Sequence, residues 1–141
     1  MVTKRPEPVP RMRNRVVVVD DQPDMRDLVS LIIDDEDDFE VVGVAGDGAE
    51  AIRVVEEVGP DLVVMDIAMP LMSGLDAMRK LRASMPSTRI VILSAQPRDT
   101  VEPRSYDLAD EYLDKGIVVT DLVGKLRAVC QRPAKGIAAA G

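Results

Sequence analysis

The sequence predicts an α/β fold, a doubly wound five-stranded parallel sheet with helices on both faces. Three observations carry that prediction. Short aliphatic runs such as "RVVVVD", "DLVVMD" and "RIVILS" have the length and unbroken apolarity of strands buried on both sides. Between the runs, apolar residues recur at helical spacing, so strand and helix alternate along the chain. The residues that end the strands are polar and chemically complementary, and the carboxyl edge of an open parallel sheet is where such folds bind ligands.

Each element can be justified in order. "MVTKRPEPVPRMRN", residues 1–14, is basic and proline-rich and reads as a disordered leader. "RVVVVD" is the first strand. Pro23 then sits near the first turn of a helix in which Met25, Leu28, Val29, Ile32 and Ile33 recur at helical spacing. Five consecutive acids, Asp34 to Asp38, oppose that helix's dipole, so the helix should stop around Asp34 and leave the acids as a solvated end. They lack the alternate spacing of a calcium loop.

"FEVVGVA" is the second strand. The second helix follows, with Ile52, Val55 and Val58 inward and Gly59-Pro60 ending it. After "DLVVMD", Ser73 caps a third helix carrying Leu75, Met78 and Leu81. "RIVILS" is the fourth strand. Pro97 and Pro103 interrupt the next segment, so a fourth helix there should be short, distorted or absent, since an interior proline costs about 3 kcal/mol. "EYL" is a short fifth strand. Thr120 or Asp121 caps the last helix, with Leu122, Val123, Leu126 and Val129 inward. "PAKGIAAAG" closes the chain as a low-complexity tail. The expected organisation is a leader to residue 14, one domain over 15–131 and a flexible tail over 132–141.

Composition narrows the function. The 141 residues are 46% hydrophobic and 30% charged, with almost no aromatics, so aliphatic side chains must build the core. The net charge is −7; the leader contributes +3 (Lys4, Arg5, Arg11 and Arg13 against Glu7), leaving −10 on the rest. Such a body repels phosphate backbones, which argues against direct nucleic-acid binding. The single cysteine, Cys130, falls on the apolar face of the last helix and reads as a packed thiol. No segment reads as a membrane span or signal peptide, so no membrane contact and a cytoplasmic location are expected.

The strand ends hold the chemistry. "VVVV" ends in Asp20-Asp21, "LVVM" in Asp66, "IVIL" in Ser94, and "EYL" leads within two residues to Lys115. Three carboxylates gathered at one edge repel one another unless a cation joins them. Hard oxygen ligands suit Mg2+ rather than zinc, because the chain has no histidine and one cysteine. A metal, an ammonium and a hydroxyl together form a cradle for phosphoryl oxygens, with a carboxylate as nucleophile. Aspartyl-phosphate chemistry fits the set.

With those residues in view, the sequence resembles a response-regulator receiver domain of bacterial two-component signalling, similar to the chemotaxis response regulator. The likeness covers about residues 15–131 and rests on "VVVVDD", "DLVVMDIAMPLMSGLDAMRKLR", "IVILSA" and "EYLDK", in order and in spacing. It implies a flavodoxin-like (βα)5 fold with strand order 2-1-3-4-5. It implies Asp66 as the phosphoacceptor, phosphorylated by a sensor histidine kinase or phosphotransfer protein. Mg2+, with Mn2+ as a substitute, would be held by Asp21, Asp66 and the backbone carbonyl of Ala68, with Asp20 joining through water or positioning the ion. Lys115 would pair with the phosphoryl group, and Ser94 would bond to it and draw its loop inward. Tyr112 would be the switch aromatic that follows. Met69, Pro70 and Gly74 match the loop shaping the site.

The resemblance further implies that the chain is no enzyme beyond its own phosphorylation and dephosphorylation. Its output would be a downstream protein or an output domain beyond this chain, and a homodimer fits the same reading. Kinase choice would lie around Met25 to Val29, and phosphoryl lifetime at Ala68 and Gln96. The sequence departs from the family where Gly116 follows the lysine in place of the usual proline, and where the stretch from Ser94 to Tyr112 is about one residue short. A haloacid-dehalogenase-type phosphatase is disfavoured because its second acid lies two residues after a first-strand nucleophile, where this chain has Gln22 or Pro23. A phosphorylation-independent scaffold is disfavoured because acceptor, acids and lysine are all retained.

Overall fold

The computed structural model describes residues 13–67, 69, 74–95 and 108–134, with the backbone alone at 118 and 119. Five strands form one parallel sheet: β1 (Asn14–Val19), β2 (Phe39–Ala45), β3 (Leu62–Met65), β4 (Arg89–Ser94) and β5 (Glu111–Asp114). Their spatial order is β2-β1-β3-β4-β5. Four helices are described: α1 (Pro23–Asp34), α2 (Gly48–Val58), α3 (Gly74–Ser84) and α4 (Val118–Cys130). Ser73, residues 1–12 of the expected leader and residues 96–107, where the sequence predicts a fourth helix that is short, distorted or absent, lie outside the described residues; Asn14, expected to close the leader, instead begins β1.

The valine run explains the layering. Side chains alternate along a strand, so Val17 and Val19 pack with Ala51 and Val55 of α2 and Met78 and Leu81 of α3. Val16 and Val18 pack on the other face with Val29 and Ile33 of α1 and Leu122 and Leu126 of α4. β3 and β4 split in the same way, Val63 and Ile90 to one layer, Val64 and Val91 to the other. A continuous apolar run is therefore what a strand between two helical layers requires, each fully buried aliphatic side chain contributing roughly 1.5–3 kcal/mol.

Helix ends follow local chemistry. α1 begins at Pro23 and stops at Asp34, where the acids begin. At the start of α2 the Asp47 carboxylate accepts from the Glu50 N–H at 2.8 Å, while Glu50 Oε1 accepts from the Gly46 N–H at 2.8 Å. α2 ends on Gly59, whose φ of 57° closes the N–H back onto the Val55 carbonyl at 2.9 Å.

Three details differ from the sequence expectation. Leu28 joins the α1 stripe by spacing, yet it is 40% exposed, and Leu31 is 70% exposed. Both lie on a helix that flanks β2, the edge strand, beyond which the sheet offers nothing to cover them. The acid run is more than a solvated end: Asp34 Oδ1 accepts from the Val41 N–H, and Arg127 of α4 donates to Glu36 and Asp38 at 2.7 Å. Arg127 also lies over the Phe39 ring, 5.9 Å from its centroid. Finally, α4 starts at Val118, before the expected cap, and its backbone leaves helical geometry at Asp121 (φ −148°, ψ 20°). A short first segment thus precedes the expected cap position, and the main part of the helix begins at the break at Asp121.

Candidate functional site

Strand register brings the site together. Val19 pairs with Met65 and Met65 with Ile92, so β1, β3 and β4 end nearly level. The ladder runs on into the acids: the Asp20 N–H donates to the Ala45 carbonyl at 3.1 Å and the Asp66 N–H to the Val19 carbonyl at 3.0 Å. β4 ends at Ser94, which is fully buried and pairs with Asp114, the residue before Lys115.

Asp20, Asp21 and Asp66 each bring a carboxylate oxygen within 4.8 Å of the others. Asp20 and Asp66 are only 3% and 5% exposed. The Lys115 ammonium bridges those two, 2.8 Å from Asp20 Oδ2 and 3.3 Å from Asp66 Oδ2. Burial works against charge on Lys115, but the bond to Asp20 and the fields of Asp66 and Asp20 outweigh it and raise its pKa, so it is a cation at neutral pH. The set fits a divalent cation: three hard oxygen donors converge on one point, with a single ammonium to offset three negative charges.

These residues open onto a cleft of about 460 Å³, lined by Asp21, Gln22, Met25, Asp66, Ser94 and Lys115 among others. Beside it, Gly74 at the start of α3 lies against the backbone that leaves β3. A Cβ there would come 2.2 Å from the Asp66 carbonyl oxygen and 2.7 Å from the Ile67 Cα, and the Gly74 N–H donates to the Ile67 carbonyl at 3.0 Å. Only glycine permits that approach. Met69 is buried next to Ile67.

The sequence-predicted residues Asp20, Asp21, Asp66, Ser94 and Lys115 therefore meet at one edge. Tyr112 is nearly buried on β5, within the layer that holds Ile90 and Ile92. Ala68, Pro70 and Gln96 lie outside the described residues. After Lys115 the chain makes a single 3-10 turn, Lys115–Ile117, in which the Gly116 N–H donates to Asp114 Oδ1 at 2.7 Å. A proline at 116 has no N–H to give, so this departure from the family is built into the local turn. Sequence reasoning missed the cleft-lining Gln22, and it missed Arg26, whose Nη1 donates to the Asp20 carbonyl at 2.9 Å. The signal available was an arginine placed one turn into the helix that follows the paired acids.

A parallel sheet in this order, with acids, a hydroxyl and a lysine at its carboxyl edge, defines a class of phosphoryl-handling signalling domains. The family model for the response regulator receiver domain matches residues 16–127. The chain is 38% identical over 120 residues to the probable transcriptional regulatory protein TcrX of Mycobacterium tuberculosis, covering 83% of this chain and 50% of that protein. It is 42% identical over 81 residues to the chemotaxis protein CheY of Listeria monocytogenes, covering 57% of this chain and 67% of that one. Among solved structures, the signal receiver domain of the putative response regulator NarL from Mycobacterium tuberculosis superposes with a TM-score of 0.79 at 28% identity, covering 86% of this chain and 98% of that one. The chain belongs to the response-regulator receiver domain family of two-component signalling. It spans about half the length of several transcriptional regulators that it matches.

Proposed function

We propose that this domain, residues 15–131, takes a phosphoryl group onto Asp66 from a sensor histidine kinase or phosphotransfer protein and changes conformation to control a downstream protein or an output domain. The observation that carries the reading is the meeting of Asp20, Asp21 and Asp66 around one point, with Lys115 bridging two of them. A carboxylate oxygen of Asp66 attacks phosphorus as the bond from phosphorus to the donor breaks, and the donor leaves with that electron pair.

In this reading Asp21 and Asp66 hold Mg2+, or Mn2+ in its place, together with the Ala68 carbonyl, whose part rests on the family resemblance. Asp20 joins through water or helps position the ion. The cation, when bound, offsets charge on the phosphoryl oxygens. Lys115 turns from Asp20 toward one of those oxygens. Ser94, buried at the end of β4, donates to another, which requires the following loop to move inward. Tyr112 then packs behind it. The chain catalyses no other reaction in this account and works in the cytoplasm, and its acidic surface suits protein partners rather than nucleic acid.

Intact mass after incubation with acetyl phosphate, with and without Mg2+, tests the reading. A gain of one phosphoryl group that needs the cation and vanishes in Asp66→Asn is the expected result. A folded protein that gains nothing, and does not bind beryllofluoride, would make the domain a scaffold.

A further inference from the structure

Asp20 is held at all four of its polar groups, each time by a different part of the fold. Its N–H donates to the Ala45 carbonyl of β2 at 3.1 Å. Its carboxylate accepts from the Gln22 N–H at 2.9 Å and from Lys115 at 2.8 Å. Its carbonyl oxygen accepts from Arg26 Nη1 at 2.9 Å. The first three serve Asp20 itself. The fourth acts on its neighbour.

The Asp20 carbonyl and the Asp21 N–H belong to one rigid peptide plane. Whatever holds that oxygen restrains the plane and with it the N–Cα bond of Asp21, leaving only rotation about that bond to swing its side chain. Arg26 is well placed to do so. Its backbone N–H closes the first turn of α1 on the Gln22 carbonyl at 2.9 Å, so backbone and side chain of one residue bracket the whole turn that carries the acids. The guanidinium also abuts the β2–α2 turn: a Cβ on Gly46 would lie 3.1 Å from Nη1. The arginine is thereby wedged between the two turns, and it adds positive charge near the acids without occupying a carboxylate oxygen.

We propose that Arg26 is a positioning residue for the cation site: by holding the Asp20–Asp21 peptide it aims Asp21 at the ion and sets the domain's affinity for it. The inference rests on the function proposed above, in that it takes the acid cluster to be the cation site. Arg26 touches neither the phosphoryl group nor the ion. Groups that orient a metal ligand from behind typically change affinity by about 10- to 100-fold when removed, and a brace acting through one peptide belongs near the low end.

The test uses the full chain and Mn2+ alone, titrated into metal-free protein with the free ion read by electron paramagnetic resonance. Arg26→Gln should weaken Mn2+ binding about tenfold, and Arg26→Lys by less, since one donor is retained. Phosphorylation from acetyl phosphate should regain the wild-type maximum in both variants once Mg2+ is saturating, with only the Mg2+ requirement raised. Unchanged Mn2+ affinity in both variants would overturn the proposal, as would a lowered maximum at unchanged affinity. If Arg26→Gln does not fold, Arg26→Lys decides on the same two outcomes. A wild type that takes up no Mn2+ would instead remove the cation-site reading, and this proposal with it.

Discussion

A methyl group on Gly74 would sit 2.2 Å from the Asp66 carbonyl, inside any allowed contact, so either α3 or the end of β3 has to move. Overpacking of this kind costs about 1–3 kcal/mol. Gly74→Ala should lower the unfolding free energy measured in urea by that amount and slow phosphorylation of Asp66; a variant as stable and as active as the wild type would mean that the approach is easily relaxed. Cys130 gives a second prediction at this scale. Burial pushes its thiol up to about 11, from an ordinary value of 9.0. At pH 8 its thiolate should be about a hundredfold scarcer than that of an unperturbed thiol, and alkylation by iodoacetamide correspondingly slow. Rapid labelling of the folded protein would contradict this. The packed cysteine was legible in the sequence because its spacing put it on an apolar face. Arg26 was not, because its task is to bond a backbone carbonyl, and no pattern of side-chain types records where a carbonyl points.

Among elements, the start of β5 is secured by a buried ion pair. Arg82 near the end of α3 binds the Asp110 carboxylate, and its other nitrogens donate to the Leu108 carbonyl at 2.8 Å and the Thr88 carbonyl at 2.9 Å. Asp110 also accepts from the Ile90 N–H at 2.8 Å, and the two side chains are only 10% and 6% exposed. Removing one partner of a buried pair leaves an uncompensated charge, at a cost of about 3–5 kcal/mol. Arg82→Met should destabilise by roughly that much in chemical denaturation, whereas Asp110→Asn should cost less because it can still accept from Ile90; equal and small losses would show the pair to be incidental. At the opposite corner, Arg127 links α4 to the acid run. The hydrogen bond from Arg127 holds the Asp38 carboxyl below its ordinary pKa. A depressed carboxyl stabilises the fold above its unfolded pKa, and that stabilisation fades as pH falls through the folded one. Wild type and Arg127→Met should therefore differ at neutral pH, converge below about pH 4, and differ less at high salt, as urea unfolding across pH would report. The acid run read as solvated because its partner lies far along the chain, on another helix. Strand limits were legible almost to the residue: "FEVVGVA" and "RIVILS" coincide with β2 and β4. The start of α4 was legible in part: the break at Asp121 falls where the cap was expected, but the 3-10 turn from Lys115 adds a short helical segment ahead of it.

For the molecule as a whole, the two aliphatic layers are formed by residues from Val16 to Val129, while Asn14 in β1 and the buried Ala134 lie beyond the expected bounds of 15–131. A chain cut to residues 13–134 should keep its melting temperature within about 2 °C and still be phosphorylated. A larger drop would mean that the leader or tail contributes packing of its own. The architecture was legible because each layer of a doubly wound sheet leaves its mark locally, as a run, a period or a breaker. The candidate site was legible for a related reason: strand ends are marked by where the apolar runs stop, and the topology brings those ends to one edge.

The place of β1 in the middle of the sheet has a consequence for how the chain is made. Its valine run leaves the ribosome before its partners, β2 and β3, and β3 emerges only after α1, β2 and α2. Until then a valine run of high β-propensity, Val16 to Val19, waits without one of its neighbours, and parallel pairings of this range close slowly. The same strand that holds two of the acids rigid in the finished domain is thus the segment most exposed to mispairing during synthesis. Charge-bearing residues at both its ends, Arg15 and Asp20, are where a nascent chain would need them.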